Sequence, residues 1–203
     1  MRRPAATAVL AALLAACSGV AASSPAVTAS PLQSLLRIDQ LAHPGFTVYA
    51  GPHSESAVDL AGSSSAAAGL NADGFSAAAT VRYTRQDDFT VADGPLDVTS
   101  TAERFANADG ANSAFSADVA RLDAVAGATA ISTGPLGDAA HAEQEVRRLP
   151  NGLAAVQYTV EWRVANVVNV IVIRGRQGGT TLQDALTLAY AQVDNEPIGL
   201  AAT

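Results

Sequence analysis

The sequence predicts an α+β fold in which a single antiparallel sheet of about five or six strands carries helices mainly on one face. Three observations lead to this prediction. Apolar and polar residues alternate with a period of two over 75–84, which is typical of a half-buried strand. The period changes to three or four residues over 108–125, as in an amphipathic helix. Strand-like runs joined by short turns follow between 141 and 179, so neighbouring strands there should be antiparallel.

The N-terminal half of the domain gives less regular signals. Leucines at helical spacing predict a helix that begins at Pro31 and ends at Pro44-Gly45. Gly45–Gly51 is a short strand candidate, and a further strand is expected over Leu96–Phe105. Residues 52–72 are rich in alanine and serine and contain two glycines. The sequence leaves open whether they form a helix or a loop.

The C-terminal half is clearer. Asn151-Gly152 is a strong hairpin signal, because both residues tolerate a positive φ. Apolar residues then alternate over 154–164, and Ala165-Asn166 is expected to turn the chain. The run 167–175 is apolar on both faces, as expected of a central strand. Helically spaced apolar residues from Leu182 to Val193 follow two threonines that can cap a helix.

The first residues have the parts of a secretory signal peptide. Two arginines precede an apolar run that is too short to span a bilayer. The segment LAAC, which ends at Cys17, resembles the lipobox of bacterial lipoproteins. That resemblance implies cleavage before Cys17 and anchoring through a diacylglyceryl group and palmitate; the alternative is a free cysteine in an ordinary signal peptide. We therefore expect a signal peptide at 1–16, a lipidated N-terminus and flexible tether at 17–31, and one domain at 32–200.

Composition excludes several classes of chemistry. With Cys17 committed to lipid, the domain has no cysteine for a disulfide, a nucleophile or a thiolate metal site. The chain has no lysine, which excludes Schiff-base chemistry and a Walker-type lysine. Cleavage would leave ten arginines against 19 acidic residues, a net charge of −9. Such an acidic domain repels phosphate backbones, so we expect no nucleic-acid partner.

No catalytic, metal or cofactor motif is present, and we expect no catalytic residue, metal or cofactor. The three histidines, His43, His53 and His141, are scattered and are expected to have surface roles. The acidic turn at 87–97 lacks the ordered spacing of a calcium loop, so a solvated turn is favoured. Glu143 and its neighbours on one strand face are expected to form a cross-strand charge ladder with the next strand.

Two aromatic residues are the candidates for ligand contact. Trp162, the only tryptophan, is expected to share the apolar face of its strand with Tyr158. Core packing explains both residues, and the floor of a ligand pocket is the speculative alternative.

The segment from about 75 to 193 is similar in layout to the extracellular sensor domains of PknH-type kinases and to PsbP-like domains. The residues that carry this resemblance are VEWRVANVVNVIVIRG, TTLQDALTLAYAQV, AERFANADGANSAFSADV and GPLGDAA. Trp162-Arg163 matches the family pattern, whereas the turn after it is Ala165-Asn166 in place of Gly-Asn. The resemblance implies an envelope-facing sensing, binding or accessory module.

These observations predict a non-enzymatic domain held outside the cytoplasm by lipid on Cys17, at the cell membrane or, in a cell with two membranes, at the outer one. Its partner would be an envelope protein or a small-molecule ligand. One alternative is an envelope-associated hydrolase, whose sign would be a deep pocket with two converging carboxylates of shifted pKa. The other is a purely structural envelope lipoprotein, which a deletion phenotype in envelope integrity would reveal.

Overall fold

The computed structural model describes residues 25–196 and 198–200. The strands are β1 (Pro25–Val27), β2 (Phe46–Glu55), β3 (Phe75–Arg85), β4 (Asp97–Phe105), β5 (Ala128–Ile131), β6 (Ala139–Arg148), β7 (Ala154–Val164), β8 (Val167–Arg176) and β9 (Ile198–Leu200). Strands β2 to β8 form one antiparallel sheet in the order β2-β3-β4-β8-β7-β6-β5, and β1 pairs with β9 in a separate two-stranded sheet. The predicted α+β class is confirmed, and so is the central position of β8.

Five helices accompany the sheets in the described part of the chain. They are α1 (Pro31–Ser34), α2 (Ala57–Ala61), α3 (Ser64–Ala72), α4 (Ala108–Asp123) and α5 (Leu182–Val193), with one 3₁₀ turn at Ile38–Gln40. The predicted α5 is confirmed with its cap: the Thr181 hydroxyl accepts a hydrogen bond from the Asp184 backbone N–H. The stretch 52–72, which the sequence left open, contains the end of β2 followed by α2 and α3.

The main sheet has seven strands, one more than the upper predicted number. The additional strand is β5, which pairs with β6 through only four residues. A run this short between Gly127 and Gly134 shows no usable alternation, so sequence periodicity could not identify it. The predicted hairpin is confirmed, since Arg148 pairs with Ala154 across the Asn151-Gly152 turn.

The prediction of helices mainly on one face is wrong, because helices cover both faces of the sheet. Helix α5 packs on β7 and β8 from one side, over buried side chains that include Val160, Ile171 and Ile173. Helix α4 packs on the same strands from the other side. We call the two sides the α5 face and the α4 face. The physical reason is β8 itself, whose apolar residues on both faces require two covers.

On the α4 face the apolar cluster is small. Phe105 and Val168 pack against Ala111, Ala114 and Phe115 of α4. The α4 face otherwise consists largely of polar side chains, because the odd-numbered residues of β4 and β7 and their cross-strand partners point to this side. Charged residues that the sequence assigned to a solvent-exposed face are thus partly covered by a helix.

The predicted helix from Pro31 to Pro44 forms only one turn, α1, and the later 3₁₀ turn. The chain between them is extended because its backbone bonds to the sheet. The Leu36 N–H donates to the Ser100 hydroxyl at 3.1 Å, and the Tyr83 hydroxyl donates to the Leu36 carbonyl at 2.8 Å. Burial of Leu35 and Leu36 against the sheet therefore overrides their helical spacing.

The folded domain also begins earlier than predicted. Residues 25–31, which we assigned to the tether, contain β1 and the start of α1. Val27 is buried, and its N–H donates to the side chain of Asn166 at 2.7 Å. These contacts fix the segment to the β7–β8 turn. Cys17 and the predicted signal peptide lie outside the described residues.

Candidate ligand-binding site

A cavity of about 400 Å³ lies between α3, α4 and strand β4. Its walls combine small and apolar side chains with four charged ones. The lining residues are Leu60, Ala61, Ala66, Gly69, Leu70, Asp73, Glu103, Ala114, Ala117, Asp118 and Arg121. This volume lies within the range of small-molecule sites.

Local sequence explains why the cavity exists. Helix α4 begins close to the end of α3, and Gly110 permits this because a Cβ there would collide with the backbone carbonyl of Asp73. Beyond that contact α4 presents Ala114 and Ala117 to the cavity, and α3 presents Ala66 and Gly69. Side chains this small leave the space between the two helices and the sheet unfilled.

Glu103 is the buried polar group of the cavity. It lies on β4 opposite Val168, on the face that α4 covers, and the residue is 7% exposed. Burial, followed by the negative charge of Asp118, raises the pKa of its carboxyl to about 8, and the charge of Arg121 opposes this shift. No hydrogen bond from a described residue stabilises the ionised form. At neutral pH the empty cavity therefore presents a mainly protonated carboxyl group.

Glu161 is a second buried carboxyl on the same face. It lies on β7, is 1% exposed, and its Oε1 has no hydrogen-bond partner among the described residues. Burial, followed by the charges of Asp118 and Glu103, raises its pKa to about 9, and Arg121 opposes the shift. Glu161 does not line the cavity, so it would affect a bound ligand electrostatically and not by direct contact.

Asp118 and Arg121 form an ion pair at the rim of the cavity. The Nε and one terminal nitrogen of Arg121 donate to the Asp118 carboxylate at 3.1 and 2.9 Å. Their spacing of three places both side chains on one side of α4. Because Arg121 is paired with Asp118, its positive charge stabilises the ionised form of Glu103 only in part.

Strands β6 and β7 bring the charged residues predicted to form a ladder onto one face. Glu143 lies opposite Thr159, and Glu161 lies opposite His141, so Glu143 and Glu161 are diagonal neighbours. The charge ladder itself stays a prediction. The surface role predicted for the histidines suits His53, which is half exposed, but His141 has a side chain that is only 16% exposed.

The two aromatic candidates lie on the α5 face, away from the cavity. Trp162 is wholly buried in the main apolar core, as the core interpretation predicted. Tyr158 is nearly buried, and its hydroxyl accepts a hydrogen bond from the Gln144 side chain at 3.2 Å. Neither residue lines a cavity described here. A ligand role for either one stays a prediction.

Two acidic residues of the segment 87–97, Asp88 and Asp97, make contacts within the domain. Asp88 accepts hydrogen bonds from the backbone and hydroxyl of Thr90, at 2.9 and 2.8 Å. Asp97 belongs to β4 and pairs with Arg82 and Arg174 at 2.6 and 3.2 Å. These carboxylates therefore have partners within the domain.

Other cavities are less suited to a ligand. One of about 40 Å³ beside His43 and Asp184 is too small for an organic molecule. A groove of about 410 Å³ along α1 and β2 is apolar and open, with Arg37 as its charged residue. A hollow of about 190 Å³ beside Glu145 is shallow. Among these cavities, the one beneath α4 joins an apolar wall to a buried acid of raised pKa.

Sequence reasoning missed Glu103 and the cavity. The polar alternation of β4 was visible, but the position of α4 over its end was not. A signal was available in β8, whose apolar residues on both faces indicate a second covering layer.

Comparison with known proteins adds only a loose likeness. No protein-family model matches the chain, and no curated protein matches it. Among solved structures, the extracellular domain of PknH from Mycobacterium tuberculosis is similar, with a TM-score of 0.48 and 13% sequence identity. The alignment covers 79% of this chain and 91% of that one. Within the described ranges, none of the helices has the length and apolarity needed to cross a bilayer.

Proposed function

We propose that this chain is an extracytoplasmic, lipid-anchored binding domain whose small-molecule ligand occupies the cavity beneath α4. The observation that carries the proposal is the position of Glu103. The residue is only 7% exposed and lines the cavity, and burial is the main cause that raises the pKa of its carboxyl to about 8. A buried carboxylate without a paired cation is costly to keep, and a cationic ligand would offset that cost.

The chemistry of the lining suggests an amine with an apolar body. Leu60, Leu70 and the alanines would hold the apolar part, and the ammonium group would lie against Glu103. Because Glu103 is mainly protonated at pH 7 in the empty cavity, a cationic ligand would displace its proton. Binding would therefore release a proton, and the heat of binding would depend on the buffer.

The test is a ligand-observed NMR screen of small alkyl- and arylamines against the full chain in detergent, with matched neutral alcohols and carboxylates. We expect amines to bind preferentially. Ala117→Leu, which fills the cavity, and Glu103→Gln should each weaken binding about tenfold or more, equal to about 1.4 kcal/mol. Ala120→Leu, at an exposed residue of the same helix that does not line the cavity, should leave binding unchanged.

The amine proposal fails if carboxylates bind as well as amines, or if Glu103→Gln binds as tightly as the wild type. Equal loss with Ala117→Leu and Ala120→Leu would indicate a general effect on α4 and would also count against the cavity.

An envelope hydrolase is the second candidate, because Glu103 and Glu161 are two carboxyls of raised pKa beside a cavity. Acid–base catalysis by a carboxyl pair needs one protonated and one ionised group. Here the pKa values of both shift upward, which favours binding over hydrolysis. Release of product from purified cell-wall glycans, abolished by Glu103→Gln and retained by Glu145→Gln, would reverse this preference.

The lipid anchor is supported by the LAAC segment alone. Replacement of Cys17 by Ser should abolish labelling by an alkyne analogue of palmitate, and the protein should be released from membranes or remain uncleaved. A Cys17→Ser protein that is still both cleaved and membrane-bound would contradict the anchor without affecting the cavity.

A further inference from the structure

Three side chains converge where α4 ends against β6. The His141 Nε2 lies 3.5 Å from a carboxylate oxygen of Asp123 and 3.5 Å from one of Glu143. Each of the three residues offers one ligand atom within 4.8 Å of the others. His141 and Glu143 lie two residues apart on β6 and so project to the same α4 face. Asp123 is the last residue of α4.

These separations suit a metal ion. With two edges of 3.5 Å and a third of at most 4.8 Å, the point equidistant from the three atoms lies at most about 2.4 Å from each, which is close to the ligand distances of zinc. An ion could therefore enter with little movement of the side chains.

Two further observations indicate that the cluster lacks a partner. The Glu143 side chain is only 7% exposed, and its contact at 3.5 Å with the imidazole exceeds an ordinary hydrogen bond. The His141 Nε2 is buried and has no hydrogen-bond partner among the described residues. In addition, Asp123 places a negative charge at the C-terminal end of a helix, where a cation would be favourable.

We propose that Asp123, His141 and Glu143 bind one divalent transition-metal ion of the zinc type, with solvent in the fourth position. An imidazole nitrogen with two carboxylates favours zinc over the all-oxygen sites of calcium and magnesium. The site differs from the cavity beneath α4 and does not depend on the proposed ligand. The proposed site differs from the sequence-based expectation of no metal. The sequence contains no local motif for it, because Asp123 lies on a different element from His141 and Glu143.

The test is zinc titration of the full chain in detergent after removal of metal with a chelator. We expect one zinc ion per chain by calorimetry and by competition with a chromogenic chelator. Asp123→Asn and Glu143→Gln should each weaken binding about 100-fold. Asp123 is largely exposed, so its substitution should not affect folding, which circular dichroism would verify.

The matched control is His53→Ala. His53 also contacts a carboxylate, Glu55, at 2.8 Å, but no third ligand joins that pair in the described residues. This variant should bind one zinc ion as tightly as the wild type. Cobalt substitution should give the visible absorption of a four- or five-coordinate site, absent in His141→Ala.

Two results overturn the proposal. The first is no saturable zinc binding, which would mean that the three side chains only contact one another. The second is binding of one ion that is undiminished in both Asp123→Asn and Glu143→Gln, since that ion would occupy a different place.

Discussion

The two faces of the central sheet bury different kinds of polar group: neutral side chains on the α5 face, where Nδ2 of Asn169 and Nε1 of Trp162 have no partner among the described residues, and carboxyls on the α4 face. On the α5 face, Gln192 is wholly buried but accepts a hydrogen bond from Ser100 at 2.7 Å and donates one to Asn169 at 3.0 Å. On the α4 face, Glu103 and Glu161 are buried with raised pKa values, and Oε1 of Glu161 has no partner among the described residues.

The two faces also differ in packing. The α5 face is filled by large aliphatic and aromatic side chains, including Trp162, Ile171 and Ile173. The α4 face has alanines, a small apolar cluster and a cavity of about 400 Å³. Burial also raises the pKa of Glu196, which lies after α5, to about 7. The difference between the two faces in their buried carboxyls is therefore one of degree. Stability therefore rests mainly on the α5 face, and the α4 face has the features expected of a site.

The largest expected effect tests this division with adjacent residues of β8. Ile173 is fully buried on the α5 face, and its neighbour Val172 is half buried on the other. Ile173→Ala should lower the free energy of unfolding by about 2–5 kcal/mol through the cavity it leaves. Val172→Ala should cost about 1 kcal/mol or less. Urea unfolding measures both, and equal losses would break the comparison.

The next effect concerns pH. The pKa of Glu103 rises from 4.5 to about 8 on folding, so the folded protein binds a proton that the unfolded chain releases. Its contribution to stability is complete below pH 4.5 and is lost as pH rises toward 8. The slope is at most about 1.4 kcal/mol per pH unit.

Glu103→Gln should remove this slope and stabilise the protein at pH 8. Urea unfolding at several pH values measures the difference from the wild type, which cancels the contribution of Glu196, while the pKa of Glu161 is expected to fall because the charge of Glu103 contributes to raising it. Glu145→Gln, on the same face but outside the cavity, is the control. A wild type and Glu103→Gln with parallel pH profiles would contradict the raised pKa.

A smaller effect tests the hydrogen bonds that Gln192 makes with Ser100 and Asn169 on the α5 face. Gln192→Ala leaves Ser100 and Asn169 without this partner and should cost about 1–3 kcal/mol. Gln183→Ala, on the exposed side of α5, should change stability by less than about 0.5 kcal/mol. Thermal unfolding followed by circular dichroism measures the pair. If the two losses are the same, the network has no special role.

The smallest effect concerns the half of the α4 face that contains Arg174 and Asp97. Arg174 pairs there with Asp97, and its side chain is 48% exposed. Arg174→Gln should cost less than about 1 kcal/mol, and less still at high salt. A loss above about 2 kcal/mol in urea unfolding would show that this half of the face also stabilises the fold.

The sequence predicted the elements with strong periodicity and missed what depends on tertiary contacts. Helix α5, the Asn151-Gly152 hairpin and the central position of β8 follow from local pattern and turn chemistry. Strand β5 is too short to show a pattern, and Leu35 and Leu36 leave the helix because their backbone and side chains bind the sheet.

The candidate site was the least predictable part. Glu103 and Glu161 alternate with apolar residues like any surface carboxylate, and only the position of α4 over the sheet makes them buried. Asp123, His141 and Glu143 likewise meet only because α4 ends against β6. The layer order decides these positions, and local periodicity does not specify it.

The proposed ligand site on the α4 face depends most directly on the protonation of Glu103. A carbon-13 NMR titration of the glutamate side-chain carboxyls, with the signal assigned through Glu103→Gln, measures its pKa in the folded protein. The account predicts a pKa of about 8 in the empty cavity, with a decrease when an amine binds. A pKa at or below the ordinary value of 4.5 would contradict it, because the α4 face would then hold an ordinary solvated carboxylate.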